Sequence, residues 1–155
     1  MIREAVKSDL RHCAEILSDC LMWDRYGRSF EDALSFFSVE YETGSEVWVF
    51  EENGTVLGYL VLIPRGMMGE FPFVRALGVL RNRRGTGIGS QLLEFAEERM
   101  FRLKQYLFMM VSDFNNDAQR LYYRLGFEKI GEIPDYKKEG IAEYVLVKRK
   151  DEMRI

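Results

Sequence analysis

A single histidine, His12, two cysteines and three prolines in 155 residues leave several chemistries without material. One histidine excludes histidine-rich metal sites, and Cys13 and Cys20 alone cannot complete a tetrahedral thiolate site, so no metal is expected. The two thiols stand on what reads as one helix, ~10 Å apart at about 1.5 Å per residue. That spacing is beyond disulfide reach, and reduced thiols in a cytoplasmic protein are the expectation. Long apolar runs are also missing. The longest, Tyr106–Val111, falls far below the ~20 residues of a membrane helix, and the N-terminus MIREAVKSDL has no apolar signal core. An excess of basic charge is lacking as well: 22 Lys+Arg against 25 Asp+Glu give a formal charge of -3, which argues against nucleic acid as a partner.

What is present suits a globular domain. Hydrophobic residues make up 47% and aromatic residues 14% of the chain, and no linker, repeat or low-complexity tract divides it, so one domain over residues 1–155 is expected. Ile2–Ala5 reads as a short strand, and Ser8 as the cap of a helix bearing Leu10, Cys13, Ala14, Ile16 and Leu17. Ser29 with Asp32 forms a capping pattern for a second helix. Val47–Phe50 and Val56–Ile63 read as strands joined at Asn53-Gly54, a hairpin signal. Phe71–Leu80 is a further strand; a glycine-rich turn, a helix to about Lys104 and the strand Tyr106–Val111 follow it. A helix from Asn115 to Leu125 ends at Gly126, and Glu128–Ile133 and Ala142–Lys150 complete the series as strands. The order predicts a mixed α/β sheet.

The densest chemical signal is the run from Leu77 through Gly78 and Val79 to Arg84-Gly85-Thr86-Gly87-Ile88-Gly89-Ser90, where a strand turns directly into a helix. Small residues let a ligand approach the backbone, and the first helical amides point a partial positive charge outward, so a phosphate or pyrophosphate is the natural occupant. The turn fits neither the Walker pattern nor the dinucleotide fingerprint, because Ser90 or Leu92 falls where each needs another residue.

Arg84-x-x-Gly87-x-Gly89 resembles the R/Q-x-x-G-x-G/A motif of the GNAT superfamily of acyl-CoA-dependent N-acetyltransferases. Asn115-x-x-Ala118-x-x-Leu121-Tyr122-x-x-x-Gly126-Phe127 resembles a second segment of that family with every place filled. The resemblance implies a central mixed, mostly antiparallel sheet flanked by helices, with acetyl-CoA as co-substrate and no metal. It implies that backbone groups of Leu77 and Val79, on either side of Gly78, hold the pantetheine arm. The Val79 amide would also stabilise the thioester oxyanion, and amides from Arg84 to Ser90 would hold the pyrophosphate. Asn115 would contact the pantetheine, Tyr122 would protonate the departing thiolate, and Arg124 is a candidate for a CoA phosphate.

The implied reaction is direct attack of a primary amine on the thioester in a ternary complex, which needs a base or a route to water. The strand Phe71–Leu80 carries Arg75 and no acid, so Glu70 at its start is the candidate base, with a water chain as the alternative. The acceptor would be a protein or peptide α-amine or a small amine, flanked by Trp23, Tyr26 and Tyr136. A non-catalytic acyl-CoA-binding or regulatory module is the competing reading, and the oligomeric state stays open, a homodimer included. Residues 71–93 hold four arginines and no acid, while residues 1–70 hold 13 acids against 6 bases. The expected consequence is a basic strip for an anionic donor beside an acidic region for a cationic acceptor.

Overall fold

The computed structural model describes residues 1–151; residues 152–155, the end of the predicted domain, lie outside the described residues. The strands are β1 (Ile2–Glu4), β2 (Glu46–Glu52), β3 (Thr55–Met67), β4 (Phe71–Val79), β5 (Tyr106–Ser112), β6 (Glu128–Lys138) and β7 (Ile141–Arg149). The helices are α1 (Leu10–Ser18), α2 (Leu21–Arg25), α3 (Phe30–Glu42), α4 (Ile88–Met100) and α5 (Asn116–Arg124). One seven-stranded sheet has the order β1-β2-β3-β4-β5-β7-β6 and is antiparallel except between β4 and β5.

Strand alternation divides the core. Val47, Val49, Val56, Tyr59 and Val61 face α1 and α3, while Phe50, Leu57, Leu60 and Leu62 face α4 and α5. Burying apolar side chains on both faces of β2 and β3 makes those strands the centre of the fold.

Local chemistry sets several boundaries. Ser29 caps α3 as predicted: its hydroxyl accepts from the Asp32 amide at 3.1 Å and the Asp32 carboxylate accepts from the Ser29 amide at 2.9 Å. Asn53 and Gly54 both have positive φ, 51° and 80°, as a tight hairpin turn requires. The first helix departs from the expectation at Ser8. Residues 7–9 form a 3-10 turn, and Asp9 is the residue that accepts the Val6 amide, at 2.8 Å, while both its oxygens take the Arg3 guanidinium at 2.7 and 3.1 Å. The five-residue α2 was not predicted; it buries no residue fully and so carries no apolar stripe to read.

The feature that organises the site is a register break. Val61 pairs with Ala76 but Leu62 pairs with Val74, so Arg75 is an extra residue in β4, a β-bulge. A bulge bends the strand that carries it. Beyond it β4 parts from β5: the two are paired only at Phe73–Phe108 and Val74–Met109.

Candidate active site

The parting of β4 from β5 leaves one edge of β4 open. The Leu80 amide donates to Leu57 O of β3 at 2.8 Å, and antiparallel pairing alternates, so Gly78 and Ala76 also direct their backbone groups to β3. Leu77 and Val79 therefore direct theirs into the opening. Val79 O is taken by Arg84 Nε at 3.2 Å, which leaves the Val79 amide. Gly78 serves differently from a ligand contact: the Tyr59 ring of β3 lies against it on the α1–α3 face.

The open edge runs into the glycine turn. Gly85 and Gly87 adopt φ of +76° and +91°, left-handed values that L side chains rarely take, and a Cβ built on either would meet nothing within 4 Å. Among the described residues, the amides of Gly85 through Ser90 meet no hydrogen-bond acceptor, and Ile88 to Ser90 form the first turn of α4. Such a row of free donors at a helix N-terminus suits a pyrophosphate. The Thr86 hydroxyl is already committed to Arg83 O. Gly89 is different again: a Cβ there would stand 3.2 Å from Leu121 Cδ2, so its smallness admits α5 beside α4.

α5 presents the second set of predicted residues. Asn115 caps it, its side chain accepting from the Ala118 amide at 3.4 Å. Tyr122 is 8% exposed, and its hydroxyl has no hydrogen-bond partner among the described residues. Burial pushes its pKa up to about 12, so the group is a neutral O–H at any physiological pH. Tyr59, buried from the opposite face, is held well above its ordinary value by desolvation, with Cys20, Cys13 and Tyr122 adding to the effect, so the two phenols are electrostatic neighbours. Tyr123 is 41% exposed and points elsewhere. Arg124 does not fit the phosphate role. It lines a cavity of about 700 Å³ with Glu94, Glu97, Glu98 and Phe101, toward the C-terminal end of α4 and among acids rather than beside the free amides.

Glu70 is also misplaced as a base. It lies before the first residue of β4, its side chain is 62% exposed, and it pairs with Lys104 at 3.6 Å. Val79 is nine residues further along the strand, ~30 Å at about 3.3 Å per residue. The predicted charge separation does not survive folding either. Arg75 pairs with Glu40, Arg81 with Asp19 and Arg83 with Glu52, so three of the four arginines of the supposed strip meet an acid of the N-terminal region.

On the α1–α3 face, Trp23, Tyr26, Phe36, Glu40, Arg75 and Lys137 line a cavity of about 350 Å³. Trp23 is fixed by Nε1 donating to Ser29 O at 2.7 Å, and Lys138 ties β6 to α2 by donating to Arg25 O at 2.9 Å. Tyr136 is not gathered here: it is 53% exposed, and its neighbour Lys137 turns inward instead, 5.6 Å from the Tyr26 ring centroid and 3.4 Å from Glu143 Oε1. The sequence alone assigns no role to Glu143, Ser112 or Lys137. The β5–β7 register sets Ser112 opposite Glu143, and the β6–β7 pairing returns Lys137 to the same place.

The sequence matches the acetyltransferase (GNAT) family over residues 6–127. It is 30% identical over 105 residues to an uncharacterized N-acetyltransferase of Methanocaldococcus jannaschii, covering 66% of this chain and 65% of that protein, so it spans just under two thirds of that relative's length. It is 26% identical over 130 residues to the peptidyl-lysine N-acetyltransferase YiaC of Escherichia coli, covering 82% of each. Among solved structures, a ribosomal-protein-alanine N-acetyltransferase from Brucella melitensis superposes with a TM-score of 0.74 at 25% identity, covering 96% of this chain and 99% of that one. A putative acetyltransferase from Salmonella typhimurium, solved with acetyl-CoA, superposes with a TM-score of 0.74 at 24% identity, covering 98% and 94%. With a family match that spans most of its length, the chain belongs to the GNAT acetyltransferases.

Proposed function

We propose that the chain is an N-acetyltransferase that moves the acetyl group of acetyl-CoA to a primary amine, a peptide α-amine or a small amine, by direct attack in a ternary complex. The observation that carries this reading is the unpaired edge of β4 at Leu77 and Val79 running into the free amides of Gly85–Ser90. An extended arm can add to such an edge as a strand does, while its pyrophosphate accepts from the turn. The Val79 amide is left to donate to oxygen as negative charge develops there. The neutral, unpartnered phenol of Tyr122 supplies a proton for a departing thiolate. Asn115 keeps its amide nitrogen for the pantetheine side, since its oxygen is spent on the cap.

The thiols take no part. Burial pushes the Cys13 thiol up to about 12 and raises Cys20 as well, which keeps both protonated and poorly nucleophilic. The acceptor enters from the cavity lined by Trp23 and Tyr26, across the sheet from Tyr122. A cytoplasmic setting belongs to the same proposal; no helix among the described residues is long and apolar enough to cross a membrane. Calorimetric titration with acetyl-CoA, followed by thiol release over a panel of peptides and polyamines, tests the whole. Binding with turnover is expected; binding with no acceptor at all would favour the regulatory module.

A further inference from the structure

Glu143 is a carboxylate that the fold has buried without completing its hydrogen bonds. It is 3% exposed, and its Oε2 has no hydrogen-bond partner. Its Oε1 faces the Lys137 ammonium at 3.4 Å, which supplies the countercharge, and the Tyr26 hydroxyl at 3.4 Å. Tyr26 Oη is in turn 2.7 Å from Ser112 Oγ. Ser112 is the last residue of β5, on the stretch that has parted from β4, and it lies directly opposite Glu143 on β7. Burying a carboxylate strips it of water, and an unsatisfied oxygen adds to that cost, so its presence calls for a use.

The three groups form a chain with one consistent direction. A tyrosine hydroxyl has one proton; if Tyr26 donates to the Glu143 carboxylate, Ser112 must donate to Tyr26, and the serine oxygen is left with lone pairs to accept. We infer that Ser112, Tyr26 and Glu143 are the proton exit of the active site, with Glu143 as the terminal acceptor for the proton of the incoming ammonium. This rests on the acetyltransferase reading above. The ammonium proton moves to Ser112 Oγ while the serine proton passes to Tyr26 Oη and the tyrosine proton to Glu143 Oε1. The freed lone pair forms the C–N bond and the C–S bond breaks. The second nitrogen proton neutralises the thiolate by way of Tyr122, and Glu143 returns its proton to solvent between turnovers. The inference supplies the base that the interior of β4 lacks, and it is chemically suited to a cationic acceptor.

Charged and titratable groups from separate elements surround the carboxylate. Lys137 from β6 and Tyr26, the residue after α2, face it directly, and Asp113 after β5, whose Oδ2 accepts the Ala142 amide at 3.0 Å, acts on Tyr26. Desolvation raises the Tyr26 pKa; Ser112 opposes that rise, while Glu143 and Asp113 add to it, so the phenol stays protonated and works only as a relay.

The test compares unaltered protein with Tyr26→Phe, Ser112→Ala and Glu143→Gln, using the best acceptor of the peptide and polyamine panel. Tyr26→Phe preserves the ring against Phe114 and Lys137, so at least one variant keeps the packing. At pH 7, kcat should fall about 100-fold in Glu143→Gln and about 10-fold or more in the relay variants. Calorimetric affinity for acetyl-CoA should be unchanged. The deficits should shrink to within about fourfold near pH 10, where roughly a quarter of a lysine-like amine of pKa about 10.4 is neutral without help. Full activity of Tyr26→Phe and Glu143→Gln at pH 7, or a deficit equal at pH 7 and pH 10, overturns the inference while the transferase reading stands. Unaltered protein that fails to bind acetyl-CoA overturns both.

Discussion

Tyr59 lies across Gly78: a Cβ at residue 78 would stand 2.4 Å from the Tyr59 Cζ and 2.5 Å from its hydroxyl oxygen. The pair explains a glycine that the sequence assigns to a cofactor strand. What Gly78 provides is a flat place on β4 for an aromatic ring from β3, itself packed edge-on against Phe37 with ring centroids 4.8 Å apart. Gly78→Ala should displace that ring and cost about 1–3 kcal/mol by overpacking. Thermal melting measures it, and an unshifted midpoint would contradict the close approach.

Tyr122→Phe separates chemistry from stability. Because the phenol has no protein partner to lose, the melting midpoint should move little, while turnover drops about 100-fold or more. Acetyl-CoA affinity, read by calorimetry, should hold. The same raised pKa has a signed consequence for folding: stability from keeping Tyr122 neutral is fully present below the unfolded value of 10 and is lost as pH rises from there through about 12. Urea titrations from pH 9 to pH 11.5 should therefore fall more steeply in the unaltered protein than in Tyr122→Phe.

Gly87 tests the anion cradle. Glu at this position meets no atom of the protein within 4 Å of its Cβ, so it projects a negative charge over the free amides. Acetyl-CoA affinity should drop by a factor of about 10 or more, against a folding cost of about 1–2 kcal/mol for a left-handed residue. Gly87→Asn, which tolerates that conformation, separates strain from charge. Unchanged affinity in Gly87→Glu would place the pyrophosphate elsewhere.

Acid should loosen the N-terminal turn. Arg3, through two hydrogen bonds, holds the Asp9 carboxyl below its ordinary 3.8, and the Val6 amide adds to the effect against desolvation. A lowered pKa contributes stability that is present above 3.8 and lost as pH falls through the folded value. Asp9→Asn should cost about 2 kcal/mol at pH 7. Urea midpoints of the two proteins should converge as pH falls from 3.8 through the lowered folded value, since protonation removes the charge that Arg3 holds.

What was legible in the sequence was local. The Ser29–Asp32 cap, the Asn53-Gly54 turn and the glycine turn before α4 each depend on residues a few positions apart, and each was read from its own letters. Leu77 and Val79 emerged from a motif, and the structure gives them the open edge. Glu70 misled because it is the nearest acid along the chain to a strand that needs one, while the opening is at that strand's other end. Glu143 was invisible for the converse reason: it comes 31 residues after Ser112 and meets it only through strand register. The arginine strip misled because its partners Glu40, Asp19 and Glu52 lie far away in sequence, and folding decides which charges meet; Arg124 misled because only packing sets it beside the acids of α4.

The parting of β4 and β5 also gives the molecule a mechanical character. Two rungs, at residues 73–108 and 74–109, are all the ladder that joins the β1–β4 half of the sheet to the β5–β7–β6 half. The sheet is thus a hinge with a short pin, and a ligand laid along β4 becomes a brace across it. Occupancy should stiffen both leaves at once, raising the melting midpoint with ligand concentration and slowing amide exchange on the β5 side that the ligand does not itself cover.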